Sequence, residues 1–265
     1  MFDNYKEFEE IVKKKNGEDE IDLRNIKLNP TTTLPLLCRC KNESLKFKGK
    51  SAYEYLNNLL KEDILFSNLP DSRKSSDELD FITNYMENLD SQYGSYFALR
   101  IIIAELTNNV FDHSKMLNIP LQSYIYSKTY ESLNKLDVCV IDDGFSIPRL
   151  FEEYGVRFSN DCEAIEKAIG TFSTISDDQF ERGNGLWTII RLVCEGNNGE
   201  LLIISRAGCL HICGENYKYY LLGDAHIFNG TLVSVRLNKF EIQNIYDLIE
   251  FNKPDSYKLG EVNDY

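Results

Sequence analysis

The order of the predicted elements, with helices first and strands later, constrains the fold of this chain more than any other feature. A long helix at 93–115 is followed by strands at 121–129 and 135–142. This order predicts an α+β sandwich, in which helices pack on one mixed, mostly antiparallel sheet. The remaining predicted elements are helices at 77–90, within 147–169, at 185–195 and at 241–251, and strands at 200–206, 209–214, 217–222 and 230–237.

The first 75 residues predict a small α/β domain of their own. Helical periodicity over 4–15 is followed by a strand-like alternation over 21–26 and by a helix that starts after Asn29-Pro30. The turn-rich, polar stretch 68–76 is the candidate boundary. We therefore expect a small N-terminal domain (1–75), a larger domain (76–251) and a polar tail (252–265).

The charge balance narrows the partners of the protein. Its 42 acidic and 29 basic side chains give a formal net charge of −13. Such acidity argues against a general nucleic-acid binder and against docking on anionic lipid. The N-terminus has no secretory pattern, no long apolar run predicts a membrane span, and the cysteines are scattered. We expect a cytoplasmic protein with reduced thiols.

The long helix carries a polar stripe within an otherwise apolar sequence. Glu105, Asn109 and Asp112 stand at i, i+4 and i+7 and share one narrow face. Polar groups at such positions are costly unless they face solvent or a ligand. A carboxylate and an amide oxygen at this spacing could hold Mg²⁺ and orient a water molecule. The residues expected in the core, on a face turned well away, are Leu99, Ile103, Leu106 and Val110.

Two further segments carry weaker signals. The strand 135–142 ends in Asp142, and Gly144 follows it. A carboxylate there could accept a hydrogen bond from an exocyclic amine such as that of adenine, although an acidic turn is the ordinary alternative. Gly183 and Gly185 open a helix, where backbone N–H groups can approach a phosphate. A Gly-x-Gly alone is a common pattern and points to function only in company.

Taken together, these segments resemble the GHKL superfamily of ATP-binding domains, which includes gyrase B, heat-shock chaperone, MutL and histidine-kinase ATPase modules. The helix segment 105–112 resembles the N box of the family, and 142–147 resembles its Asp-x-Gly-x-Gly-Ile box. The stretch 183–186 resembles its Gly-x-Gly-Leu box, and 230–231 its terminal Gly-Thr. All four occur in the family order over roughly residues 77 to 240. The resemblance implies a Bergerat-type α/β sandwich that binds ATP with Mg²⁺.

The resemblance implies roles at the phosphate end of a nucleotide site. Asn109 would coordinate Mg²⁺, and Glu105 would act as the general base toward water or a hydroxyl. Asp112 would orient Asn109 or contact the nucleotide. The lid would be the Ser/Thr/Asp-rich loop 171–184. The lid and box residues expected at the phosphates are Arg182, Gly183, Gly185 and Leu186.

The resemblance also implies roles at the base end of the nucleotide site, where the adenine would bind. Asp142 would bind the adenine amino group, with the Thr231 hydroxyl in support. Gly144 would allow the turn, and Ile147 would line the pocket. Ser146 stands where the family usually has a second glycine, which could narrow the pocket or change the turn.

Several branches of the superfamily need parts that this chain lacks. No histidine lies in a dimerisation hairpin, and too few residues follow 237 for a transducer domain. The segment 21–37 weakly resembles the strand–loop–helix of STAS domains, the anti-sigma-factor antagonists. A plain strand followed by a capped helix explains it about as well. If it is STAS-like, Thr31 or Thr32 could be a phosphoacceptor.

Three functions remain open from the sequence. The first is a regulator of the anti-sigma type, a serine/threonine kinase or switch that acts on a regulatory factor or STAS-type antagonist. The second is a slow ATPase whose lid closure drives partner assembly. The third is a non-catalytic nucleotide-binding module. A homodimer is compatible with each of them.

Overall fold

The computed structural model describes the chain in ten stretches. The N-terminal predictions for 21–26 and for the boundary at 68–76 lie outside them, as do the helix at 77–90 and the loop 171–184. The described residues are 1–13, 29–43, 46–47, 50–51, 64–67, 92–114, 123–170, 185–223, 228–249 and 262–264.

One large sheet organises the described residues. Eight strands form it in the order β10-β8-β7-β6-β9-β5-β4-β3, and neighbours pair antiparallel except β10, which is parallel to β8. This confirms the predicted mixed, mostly antiparallel sheet. The strands are β3 Ile64–Ser67, β4 Ser123–Tyr130, β5 Lys135–Asp142, β6 Glu200–Arg206, β7 Gly208–Cys213, β8 Asn216–Leu221, β9 Phe228–Asn238 and β10 Val262–Asp264, with a separate hairpin of β1 Lys46–Phe47 and β2 Lys50–Ser51.

Helices cover one face of the sheet because alternate strand residues on that face are apolar. Val138 and Val140 of β5 and Val233 and Val235 of β9 point into this core, which buries the apolar side of the long helix. The elements of this layer are α3 Tyr96–Ser114, α4 Ile147–Glu153, α5 Asp161–Ile169, α6 Gly185–Ile190, a π-helix Arg191–Gly196 and α7 Ile245–Ile249.

The second face of the sheet is covered by the first helices of the chain, α1 (Phe2–Lys13) and α2 (Pro30–Glu43). Buried side chains of these two helices, such as Tyr5 and Leu37, share a core with Cys139 and Ile141 of β5. In the segment 1–75, whose assignment to a separate α/β domain stays a prediction, α1 and α2 pack on the main sheet and β3 is an edge strand. The physical reason is that an apolar second sheet face needs a cover.

Several element bounds differ from the sequence prediction. The stretch 147–169 holds two helices, because Ser146 and Asn160 each cap a separate helix. The helix expected over 185–195 changes to π-helical geometry at Arg191. The tail expected to be polar and unpaired contributes β10, which pairs with β8.

None of the described helices combines the length and the apolar character needed to cross a lipid bilayer.

Candidate functional site

Three polar side chains form a row at one end of the sheet, on the face that carries the long helix. Asp142 ends β5 and lies opposite Thr231 of β9, which in turn lies opposite Ser205 of β6. Residues directly opposite each other in neighbouring strands project to the same face. The sequence prediction named two members of this row, and the structure adds Ser205.

Asp142 is a buried carboxylate held by backbone groups. The N–H of Gly144 donates to Oδ1 at 2.9 Å, and the N–H of Thr231 also donates to the carboxylate. The pKa of Asp142 is raised to about 7, chiefly by burial and to a smaller extent by the nearby charge of Asp143, against the lowering effect of the two backbone donors. A carboxylate kept out of water in this way is suited to a specific hydrogen bond.

The raised pKa predicts that Asp142 makes stability depend on pH. The folded-state pKa of about 7 exceeds the ordinary value of 3.8, so between these pH values the folded protein holds a proton that the unfolded chain releases. The stabilising contribution is complete below pH 4 and is lost as the pH rises through 7. Relative to the Asp142→Asn variant, the wild type should show a fall of a few kcal/mol in its unfolding free energy between pH 5 and pH 8.

Urea unfolding of both proteins at several pH values measures this difference. The exposed Asp247 supplies a control, since Asp247→Asn should run parallel to the wild type. The prediction is wrong if the unfolding free energies of Asp142→Asn and of the wild type change with pH in the same way.

Gly230 brings β9 unusually close to Asp142. Its φ of +128° is in the region that favours glycine, and a Cβ there would lie 2.9 Å from the carbonyl carbon of Asp142 and 3.0 Å from Cα of Asp143. No other residue type fits at this position without moving the strand. The Gly-Thr pair at 230–231 therefore has a backbone reason, because it lets the Thr231 N–H reach the carboxylate.

Ser146, the departure from the family pattern, is accommodated without strain. Its backbone is extended, with φ −68° and ψ 155°, and its hydroxyl accepts a hydrogen bond from the N–H of Arg149 as the N-cap of α4. Serine is a favoured residue at an N-cap. Ile147 follows as the first helical residue and is buried in the core.

At the other group of predicted residues, α3 meets the start of α6. A Cβ on Gly185 would lie 2.6 Å from Oε2 of Glu105 and 3.6 Å from Oδ1 of Asn109. A side chain at 185 would therefore displace the Glu105 carboxylate. Residues far apart in the sequence, from two of the predicted boxes, thus come into contact. The apolar side of α3 is buried, as predicted, at Leu99, Ile103, Leu106 and Val110.

Asn109 has an unpaired donor. Its Nδ2 atom is buried and has no hydrogen-bond partner among the described residues. Leaving such a group unpaired costs about 1–3 kcal/mol, so an acceptor is expected to complete the site. An amide oxygen beside the Glu105 carboxylate is also the donor set that Mg²⁺ prefers. The residues present therefore fit both a hard cation and an anionic oxygen.

Some of the remaining predicted site residues lie among the described residues, and others do not. Leu186 is half-buried against the core. Asp112 lies on α3, but the structure describes no position for its side chain, and Arg182 and Gly183 lie outside the described residues. Thr31 and Thr32 are buried in α2, where the Thr32 hydroxyl donates to the carbonyl of Asn4 at 2.7 Å. Phosphorylation of either threonine would require α2 to open first.

Ser205 is the functional candidate that sequence reasoning missed. It is fully buried near the end of β6, and its oxygen contacts Ile147, Gly230 and Thr231. The only sequence signal was a serine at the end of an apolar strand, a position where a hydroxyl needs a partner.

Comparison with known proteins adds little to this geometry. No family model matches the sequence, and the curated proteins include no match. Among solved structures, the chain is similar to a histidine kinase domain from the blue-light activated histidine kinase of Erythrobacter litoralis EL346. The identity is 12%, the TM-score is 0.32, and the match covers 93% of this chain and 98% of that chain. A TM-score that low does not assign a fold or a function to this protein.

Proposed function

We propose that this protein binds Mg²⁺ and ATP in a Bergerat-type fold, as the resemblance to the GHKL superfamily implies. The observation that carries the proposal is the contact of Gly185 with Glu105 and Asn109, which joins two of the predicted boxes. A buried carboxylate at Asp142 supports it from the base end. Both groups lie on the side of the sheet that carries α3, and in the proposal one extended ligand engages both.

The proposed division of labour follows from the chemistry of each group. Asp142 accepts a hydrogen bond from the adenine amino group, and Gly144 and Thr231 hold its carboxylate in place through their N–H groups. Asn109 holds Mg²⁺, which would neutralise phosphate charge. Glu105 takes a proton from the attacking water or hydroxyl. The glycine at 185 lets that carboxylate lie close to the start of α6.

An acidic protein that binds phosphates needs local groups that compensate their negative charge. With a formal net charge of −13, the chain as a whole repels an anionic ligand. Backbone N–H groups near Gly183 and Gly185, the side chain of Arg182 and the Mg²⁺ ion would supply this compensation in the proposal. Asp112 and Leu186 complete the proposed nucleotide contacts.

We favour a regulatory role in which the protein acts through protein partners, as a serine/threonine kinase or switch of the anti-sigma type. A regulatory factor or a STAS-type antagonist would be the partner, and the protein could act as a homodimer. The alternatives are a slow ATPase that drives partner assembly and a non-catalytic binding module. We place the protein in the cytoplasm.

Labelled Mg-ATP separates these functions. We expect the wild type to bind ATP and to transfer label to protein, whereas Glu105→Ala binds ATP and transfers none. Free phosphate instead of labelled protein would favour the ATPase. The control is Glu195→Ala, which removes a solvent-facing carboxylate that pairs with Arg191 in the π-helix. Mass spectrometry of the labelled protein tests Thr31 and Thr32, and no phosphate there would exclude them as acceptors.

Nucleotide binding without catalysis, the third candidate function, can be measured through thermal stability. A bound nucleotide stabilises the fold by mass action. If saturating Mg-ATP leaves the thermal midpoint of the wild type unchanged, the proposal of a nucleotide site is wrong.

A further inference from the structure

The buried hydroxyl of Ser205 joins three parts of the base end. Its oxygen accepts a hydrogen bond from the N–H of Ile147 at 2.8 Å. It also lies 3.2 Å from the carbonyl oxygen of Gly230 and 3.0 Å from the hydroxyl oxygen of Thr231. Ser205 is fully buried, so bulk water does not compete for these contacts.

The number of protons decides the direction of each hydrogen bond. Ser205 has one hydroxyl proton and two acceptors within reach, the Gly230 carbonyl and the Thr231 hydroxyl. A carbonyl can only accept, so donating to Gly230 leaves Thr231 to donate to Ser205. With this arrangement all three contacts are hydrogen bonds, whereas the reverse leaves the contact with Gly230 without a proton. The Thr231 proton then points toward Ser205.

The backbone around Ser205 is held firmly enough to keep this arrangement. The pairing with β9 shifts register between Ser205 and Arg206, and Arg206 has a φ of +55°. The Arg206 guanidinium bonds the carboxylates of Asp161 and Glu152, and Asp161 also accepts the N–H of Ala207 at 2.9 Å. These contacts fix the corner that aims the Ser205 side chain.

We propose that Ser205 determines base specificity: because it accepts the hydrogen bond of the Thr231 hydroxyl, Thr231 and the ionised Asp142 present only acceptors to the base, which selects a 6-amino purine over a 6-oxo purine. The proposal rests on the proposed nucleotide site. Asp142 supplies carboxylate oxygens, and Thr231 supplies the lone pairs of its hydroxyl. An exocyclic amine carries two N–H groups and pairs with such a surface. A ring carbonyl at the same position would face acceptors and stay unpaired.

The test compares ATP with inosine triphosphate, which has a carbonyl in place of the 6-amino group and a proton on N1. Dissociation constants are measured with Mg²⁺ at pH 8, where Asp142 is mostly ionised. We expect the wild type to prefer ATP by about 100-fold, since sites built to pair a polar group discriminate strongly. Ser205→Ala frees the Thr231 hydroxyl to donate to the carbonyl, so the preference should fall to about tenfold or less.

Matched variants separate this role from a structural one. Ser234→Ala removes another fully buried serine hydroxyl on the same sheet and should leave the ATP preference unchanged. In the background of Thr231→Val, Ser205→Ala should have no further effect on the preference, because Ser205 acts through Thr231. Ser205→Cys, whose sulfur is a weak acceptor for the Thr231 hydroxyl, should lower the preference too and serves if the alanine variant does not fold.

Two failures are distinguishable. If the wild type binds neither nucleotide, the proposed nucleotide site is wrong, and the specificity role with it. If the wild type prefers ATP and both Ser205 variants keep that preference, Ser205 has no such role while the nucleotide site stands. An additive loss in the double variant with Thr231→Val also contradicts the proposal.

Discussion

Gly230→Ala is expected to destabilise the protein by about 3 kcal/mol or more. The added Cβ would lie well inside van der Waals contact of the Asp142 carbonyl oxygen and 2.9 Å from its carbon, and φ of +128° is one that alanine avoids. The strands that carry the two residues, β9 and β5, lie in the centre of the sheet, so moving either strand away would disturb its packing. Urea unfolding of the variant and the wild type measures the loss.

Gly155 provides the matched control for Gly230→Ala. Its φ is +69°, but a Cβ there would meet nothing within 4 Å. Gly155→Ala should therefore cost only the backbone strain, about 1 kcal/mol. Equal losses in the two variants would mean that the close approach of β9 to Asp142 has no energetic weight.

Asn109→Ala is expected to separate stability from ligand binding. The variant removes a buried donor that has no partner among the described residues, so the unfolding free energy should change by less than about 1 kcal/mol or should rise. Affinity for Mg-ATP should fall about 100-fold, because a metal ligand and a charge-assisted donor are lost together. Calorimetric binding and urea unfolding on the same samples measure both effects.

Asn197 is the control with the opposite hydrogen-bonding state. It is fully buried, and its Nδ2 donates to the carbonyls of Asn238 and Phe240 at 3.1 and 3.2 Å, while its Oδ1 accepts the N–H of Asn238. Asn197→Ala should cost about 2 kcal/mol or more. A comparable loss in Asn109→Ala would show that the Asn109 amide has an intramolecular role, and unchanged affinity would contradict its role in the site.

Local sequence pattern was enough for several elements and for the two faces of α3. The strands 135–142 and 200–206 were predicted at the bounds they have in β5 and β6, because apolar runs with clear ends identify buried strands. The helical period of α3 separated the face of Glu105 and Asn109 from the buried face. Gly185 was expected at the phosphates from the family resemblance, and the structure places it beside both side chains.

The sequence pattern could not predict which strands and helices become neighbours in the fold. Ser205 could not be identified, because its importance depends on which strand lies beside β6 and on the start of α4. The burial of Thr31 and Thr32 could not be read either, since helical periodicity does not say which surface a helix will cover.

The cover that α1 and α2 give to the sheet affects how the protein can be divided. A fragment starting at residue 76, which contains every predicted box, would lack both helices. It would expose to water a sheet face that includes Tyr124, Ile141 and Leu202, all buried beneath these helices. Broad apolar surfaces of that kind favour aggregation. We therefore expect a soluble fragment that carries the candidate site to need the first residues of the chain.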